Sequence, residues 1–133
     1  MMIRTLLIIT TVLLSLTGYS QENESNWIEV YQDKKVTVSV YNKFKHSKDN
    51  GIKAWVKYSY SVPQTSGNTS YVEIKSYLEY NSDYDKSRCF STTLYNKEGT
   101  PVDTYNSEFP KWEYIIPDSL GEVAADFVKA MNE

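Results

Sequence analysis

The stretch Trp112–Met131, WEYIIPDSLGEVAADFVKAM, decides the fold. Its first half is extended in character and stops at Pro117. Its second half opens with Ser119, and Glu122 follows three residues later, which is a capping box. Leu120, Val123, Ala124, Phe127, Val128 and Met131 then recur at helical spacing and form one apolar stripe. Gly121, Glu122, Ala125, Asp126 and Lys129 fall on the other side. The spacing predicts a helix over about 119–131. So short a helix is marginal alone in water. It must therefore dock its stripe on something, and the sequence before it supplies a surface.

Upstream, apolar residues alternate with polar or aromatic ones, the period-two signature of strands. NWIEVYQD sets Trp27, Glu29 and Tyr31 against Ile28 and Val30, and KVTVSVYN sets Val36, Val38 and Val40 against Thr37, Ser39 and Tyr41. GIKAWVKYSY and YVEIKSYLEY continue the pattern with Trp55 and Tyr77 opposite the aliphatic side, and CFSTTLYN and PVDTYN keep the period. Tight links fall at Asp33-Lys34, Asn50-Gly51 and around Gly99, and PQTSGNTS reads as a longer polar loop. Residues 27–133 are thus expected to form one α+β domain. It is a roughly six-stranded antiparallel meander with one C-terminal helix on one face.

The first twenty residues stand apart. Arg4 precedes the apolar run LLIITTVLLSL, and Gly18 and Ser20 place small residues ahead of a cut before Gln21. This is the form of a secretory signal peptide. The run falls short of the roughly 20 apolar residues of a membrane span. Residues 21–26, QENESN, read as a polar tail. The expected locations are the periplasm, the cell surface or the medium, with no membrane span once the leader is removed. Cys89 is the only cysteine, so an exported domain of this sequence holds no internal disulfide. With 14 basic and 17 acidic residues, the chain lacks the basic balance of a nucleic-acid binder.

No motif names a reaction. His46 is the only histidine and sits in a basic segment without a partner base or ligand. SDYDKSR resembles a calcium loop only in Asp83 and Asp85, since Arg88 and Leu94 occupy the glycine and glutamate positions. No catalytic residue, metal or cofactor is expected. What remains is the sheet face opposite the aliphatic one. Trp27, Tyr31, Tyr41, Trp55, Tyr71, Tyr77, Tyr95 and Tyr105 share its parity, interleaved with Lys53, Lys57 and Lys75. Such side chains serve protein interfaces; strand propensity alone also favours them. The binding candidates are Trp27, Tyr31, Trp55 and Tyr77, with the basic loop Lys43, Lys45 and Lys48.

The pieces together resemble the surface-adhesin protein E family of Gram-negative bacteria. The carriers are NWIEV, AWVKYSY, EYNSDYDKSRCFSTTLYNKEG and the ending W-x-x-I-x-P-D-S, formed by Trp112, Ile115, Pro117, Asp118 and Ser119. The resemblance implies a sheet with a C-terminal helix on its concave side, and a non-enzymatic binding role towards extracellular or envelope proteins. A homodimer through the aromatic face is the alternative. Relatives often tether helix to sheet by a disulfide. Here Ser82 stands at the sheet position and the helix has no cysteine, so the stripe must hold the helix unaided and its last turn, near Met131, is expected to fray.

Overall fold

The computed structural model describes residues 26–133. The leader (1–20) and all but the last residue of the polar tail lie outside the described residues. The described residues form eight strands: β1 (Trp27–Gln32), β2 (Val36–Tyr41), β3 (Lys45–His46), β4 (Ile52–Ser66), β5 (Thr69–Tyr80), β6 (Lys86–Tyr95), β7 (Pro101–Asn106) and β8 (Glu113–Tyr114). One helix, α1 (Leu120–Asn132), follows. The main strands lie in the order β1-β2-β4-β5-β6-β7, all antiparallel, which is the expected six-stranded meander. The two short strands extend it at one end. β3 pairs with the start of β4 and β8 with the start of β6.

The core lies between α1 and the half of the sheet built by β1, β2 and β4. Val36, Val38 and Val40 of β2 meet Ile52, Ala54 and Val56 of β4, together with Tyr80 and the helix residues Ala124, Ala125 and Val128. Each large apolar side chain enclosed there contributes roughly 1.5–3 kcal/mol before entropy is subtracted. The helical stripe is rotated from the sequence expectation. Ala125, assigned to the outer side, is buried, whereas Met131 is 48 % exposed. The adjacent alanines straddle the contact line, and their small side chains bring the helix backbone close to the sheet. Phe127 is half-buried beside them.

The cap forms with a shift. Ser119 Oγ accepts from the Glu122 N–H at 3.2 Å, but Glu122 Oε1 accepts from the Asp118 N–H rather than that of Ser119. Asp118 adopts φ 62°, which turns its N–H towards that carboxylate. The helix remains regular through Asn132, whose side-chain amide donates to the Val128 carbonyl at 2.8 Å and ties the turn expected to fray. Beside it, Tyr84 stacks on buried Tyr80 with ring centroids 6.5 Å apart. The Tyr84 phenol is pushed up first by burial and then by the negative charge of Glu133, which brings the helix end to the 81–85 turn. Tyr84 and Tyr80 thus border the end of the core that the last helical turn approaches. Cys89 is a half-buried strand residue beside Thr92.

The strands depart from simple alternation in two ways. PQTSGNTS is no loop. Gln64, Thr65 and Ser66 stay paired with Tyr71, Ser70 and Thr69 as a polar ribbon closed at Gly67, φ 61°. Pro63 falls in the irregularity between Ser59 and Gln64, where no ladder bond needs its missing N–H. Bulges also interrupt β1, β6 and β7, at Val30, Phe90 and Val102. A single extra residue reverses which side every later side chain faces.

Candidate binding surface

Among the described residues no element covers the face of the sheet turned away from α1, and its side chains are arranged in rows. One row is aromatic. Trp27 lies opposite Tyr41, with ring centroids 5.1 Å apart, and Trp55 lies opposite Tyr77 at 4.9 Å. Tyr77 reaches on to Phe90 at 6.3 Å. Offset and edge-on pairs at these separations are attractive beyond the area they bury. The phenol of Tyr77 is pushed up, first by burial and then by the charge of Glu79.

Rows of charge flank it. On one side Lys57 stands directly opposite Lys75. Their ammonium groups rest on rings: Lys57 Nζ lies 4.6 Å from the Trp27 centroid, and Lys75 Nζ lies 4.9 Å from that of Tyr95. On the other side Lys45, Lys53, Glu79 and Arg88 follow one another across four strands. Lys53 sits over Phe90 at 4.9 Å, and Arg88 over Trp112 at 4.4 Å. Trp27, Tyr41, Trp55, Lys75 and Tyr95 enclose an open depression of about 400 Å³.

Of the residues singled out from sequence, Trp27, Trp55 and Tyr77 come together here. Tyr31 does not. The bulge between Glu29 and Tyr31 sets it opposite Val38, so it packs against the core on the helix side, and its hydroxyl donates to Asp33 Oδ2. Tyr105 is displaced in the same way: it lies opposite Thr92, which faces the helix side with Ser76, and it bonds Asp103. Tyr71 makes its ring contact with Tyr60 instead of Trp55. The basic loop divides. Lys45 and His46 form β3, Lys48 follows in the next turn, and both lysines border the charged row. Lys43 is exposed and does not share the hollow that Lys45 and Lys48 line with Lys53 and Arg88.

Phe90, Arg88 and Trp112 join the surface without having been among the binding candidates read from the sequence. Phe90 occupies the β6 bulge, and Trp112 arrives only because the chain returns to pair β8 with β6. Glu79 was visible by parity alone, since it alternates with Tyr77. Among the described residues no group of three or more His, Cys, Asp or Glu side chains is placed to hold a metal ion. No helix among them is long and apolar enough to cross a membrane.

Among the described residues the chain is a small α+β domain, an open meander covered on one side by α1 and carrying rows of aromatic and charged side chains on the other. The chain matches the family described as surface-adhesin protein E over residues 27–128, nearly the whole of the described domain, and it belongs to that family. No curated protein and no solved structure matches it.

Proposed function

We propose that this protein is a non-enzymatic, exported binding domain that takes an extracellular or cell-envelope protein on its open face. One observation carries the reading: lysines placed directly opposite each other beside a continuous row of Trp and Tyr. Like charges in register destabilise a sheet; Glu73 offsets part of this with a carboxylate 3.8 Å from Lys75 Nζ, and a partner that brings further negative charge would add to that compensation. Trp and Tyr anchors are also among the side chains that dominate protein interfaces. Family membership supports the same role.

Homodimerisation through this face is the alternative. Lys57 and Lys75 weigh against it, because a two-fold contact brings the same cations together. Light scattering at micromolar concentration separates the two: the binding reading expects a monomer, and a stable dimer lost in Trp55→Ala/Tyr77→Ala supports the alternative. If that double variant retains both partner capture and oligomer size, neither use of the face stands. Export rests on the leader sequence. Intact mass of the protein recovered from the cell envelope or medium is expected to show a chain beginning near Gln21, and an intact residue 1–20 segment contradicts it.

A further inference from the structure

Glu79 is the one charged side chain buried among the described residues, 3 % exposed. Arg88 meets it through Nε at 2.9 Å and Nη2 at 2.8 Å, but both bonds go to Oε1. Oε2 has no partner among the described residues. Gly51 lets that oxygen approach closely, since a Cβ there would lie 3.1 Å from Oε2 and 2.6 Å from the Tyr80 carbonyl. A buried carboxylate oxygen without a bond is costly unless something supplies a donor.

Two depressions meet at Glu79 and Asp49. One, about 290 Å³, is lined also by Gly51, Asn81, Lys86 and Trp112. The other, about 460 Å³, is lined by Lys45, Lys48, Lys53 and Arg88. The charge of Glu79 is already matched by Arg88, and Lys86 stands near, so a second cation is disfavoured at Oε2. A neutral hydroxyl donor is what the oxygen lacks. On the far side, Lys45 and Lys53 lie directly opposite each other, and no acid lies within ion-pair distance of them or of Lys48 among the described residues. That side sets four cationic side chains, Lys45, Lys48, Lys53 and Arg88, against the two carboxylates of Asp49 and Glu79, and so has cationic charge in excess.

We propose that the paired depressions around Glu79 bind an acidic sugar residue. Its hydroxyls donate to Glu79 Oε2 and Asp49, its ring lies against Trp112, and its carboxylate faces Lys45, Lys48 and Lys53. The site is separate from the Trp27–Trp55 depression and stands whether or not that depression takes a protein. The same chemistry comes either as a free uronic acid or as a residue of a glycan chain.

The test is a titration of the ¹⁵N-labelled protein with sodium D-glucuronate, with D-glucose and sodium acetate as partial ligands. A glucuronate-containing tetrasaccharide forms a further arm. Saturable shifts are expected for glucuronate at Gly51, Glu79, Asn81 and the Trp112 indole, with glucose and acetate each weaker by roughly tenfold or more. A much tighter tetrasaccharide assigns the glycan source, and equal affinity the free sugar. Glu79→Gln should weaken glucuronate by about tenfold. Should that variant fail to fold, Asp49→Asn and Lys48→Ala, both at exposed positions, carry the same comparison. Trp55→Ala should leave this titration unchanged. Absence of saturable shifts, acetate binding as well as glucuronate, or affinity unaffected by all three site variants overturns the proposal.

Discussion

Asp33 shows how much one side chain organises. Its Oδ1 accepts from the N–H groups of Lys35 and Val36, and Oδ2 from the Tyr31 hydroxyl. These bonds, that of Val36 first, hold its carboxyl below the ordinary range. A lowered native pKa means stability that is present above the unfolded value, about 4 for Asp, and lost as pH falls through the native one. Asp33→Ala is therefore expected to melt with a shallower pH dependence on the acid side of that value, read by thermal unfolding from neutral pH downwards; an unchanged slope contradicts it. Gly51 is the second such residue. It is buried, and a Cβ there would lie 2.6 Å from the Tyr80 backbone oxygen, which cannot swing away. Gly51→Ala should cost about 1–3 kcal/mol in urea unfolding, and a neutral effect shows that the β3–β4 turn yields more easily than this packing implies. The tight turn at Asn50-Gly51 was legible from sequence, whereas the close approach that demands glycine depends on where β5 passes.

At the scale of elements, the helix is held by packing and a cap. Val128 is fully buried and Phe127 half so. Phe127→Ala should therefore cost about 1–3 kcal/mol, less than the roughly 3–5 kcal/mol of a fully buried phenylalanine. Ser119→Ala should add about 0.5–2 kcal/mol. Hydrogen exchange of the α1 amides measures both, and protection equal to the parent in Phe127→Ala contradicts docking through this side. The strands and the helix were readable because period two, period 3.6 and the S-x-x-E cap are local signals. The bulges were not. One extra residue in β1, β6 or β7 leaves composition untouched, yet Tyr31 and Tyr105 end on the helix side and Phe90 beside Tyr77. The two-residue strands β3 and β8 are shorter than any period can reveal. Ala125 and Met131 exchanged roles because periodicity gives an apolar stripe but not the depth at which small residues seat the helix.

For the whole molecule, the asymmetry between faces is the central fact. One face is closed by α1; the other brings Trp27, Trp55 and Tyr77 together with lysines of β4 and β5. Its aromatic members were legible because each strand carries them at the parity opposite its valines. The charged row was only partly so, since Arg88 and Trp112 join it through pairing of distant segments. Mutating the exposed ribbon tip, for example Asn68→Ala, should change neither fold stability nor capture, because residues there lie outside the core and both charged rows; a loss of capture would move the contact surface to that ribbon. Recognition through the open face is tested most directly by hydroxyl-radical footprinting of the protein with and without its captured extracellular or envelope partner. Protection is expected at Trp27, Trp55 and Tyr95, with exposed Phe109 and Val62 oxidised as before. Protection confined to Phe109, Val62 or the outer side of α1, with the three open-face aromatics unchanged, contradicts it.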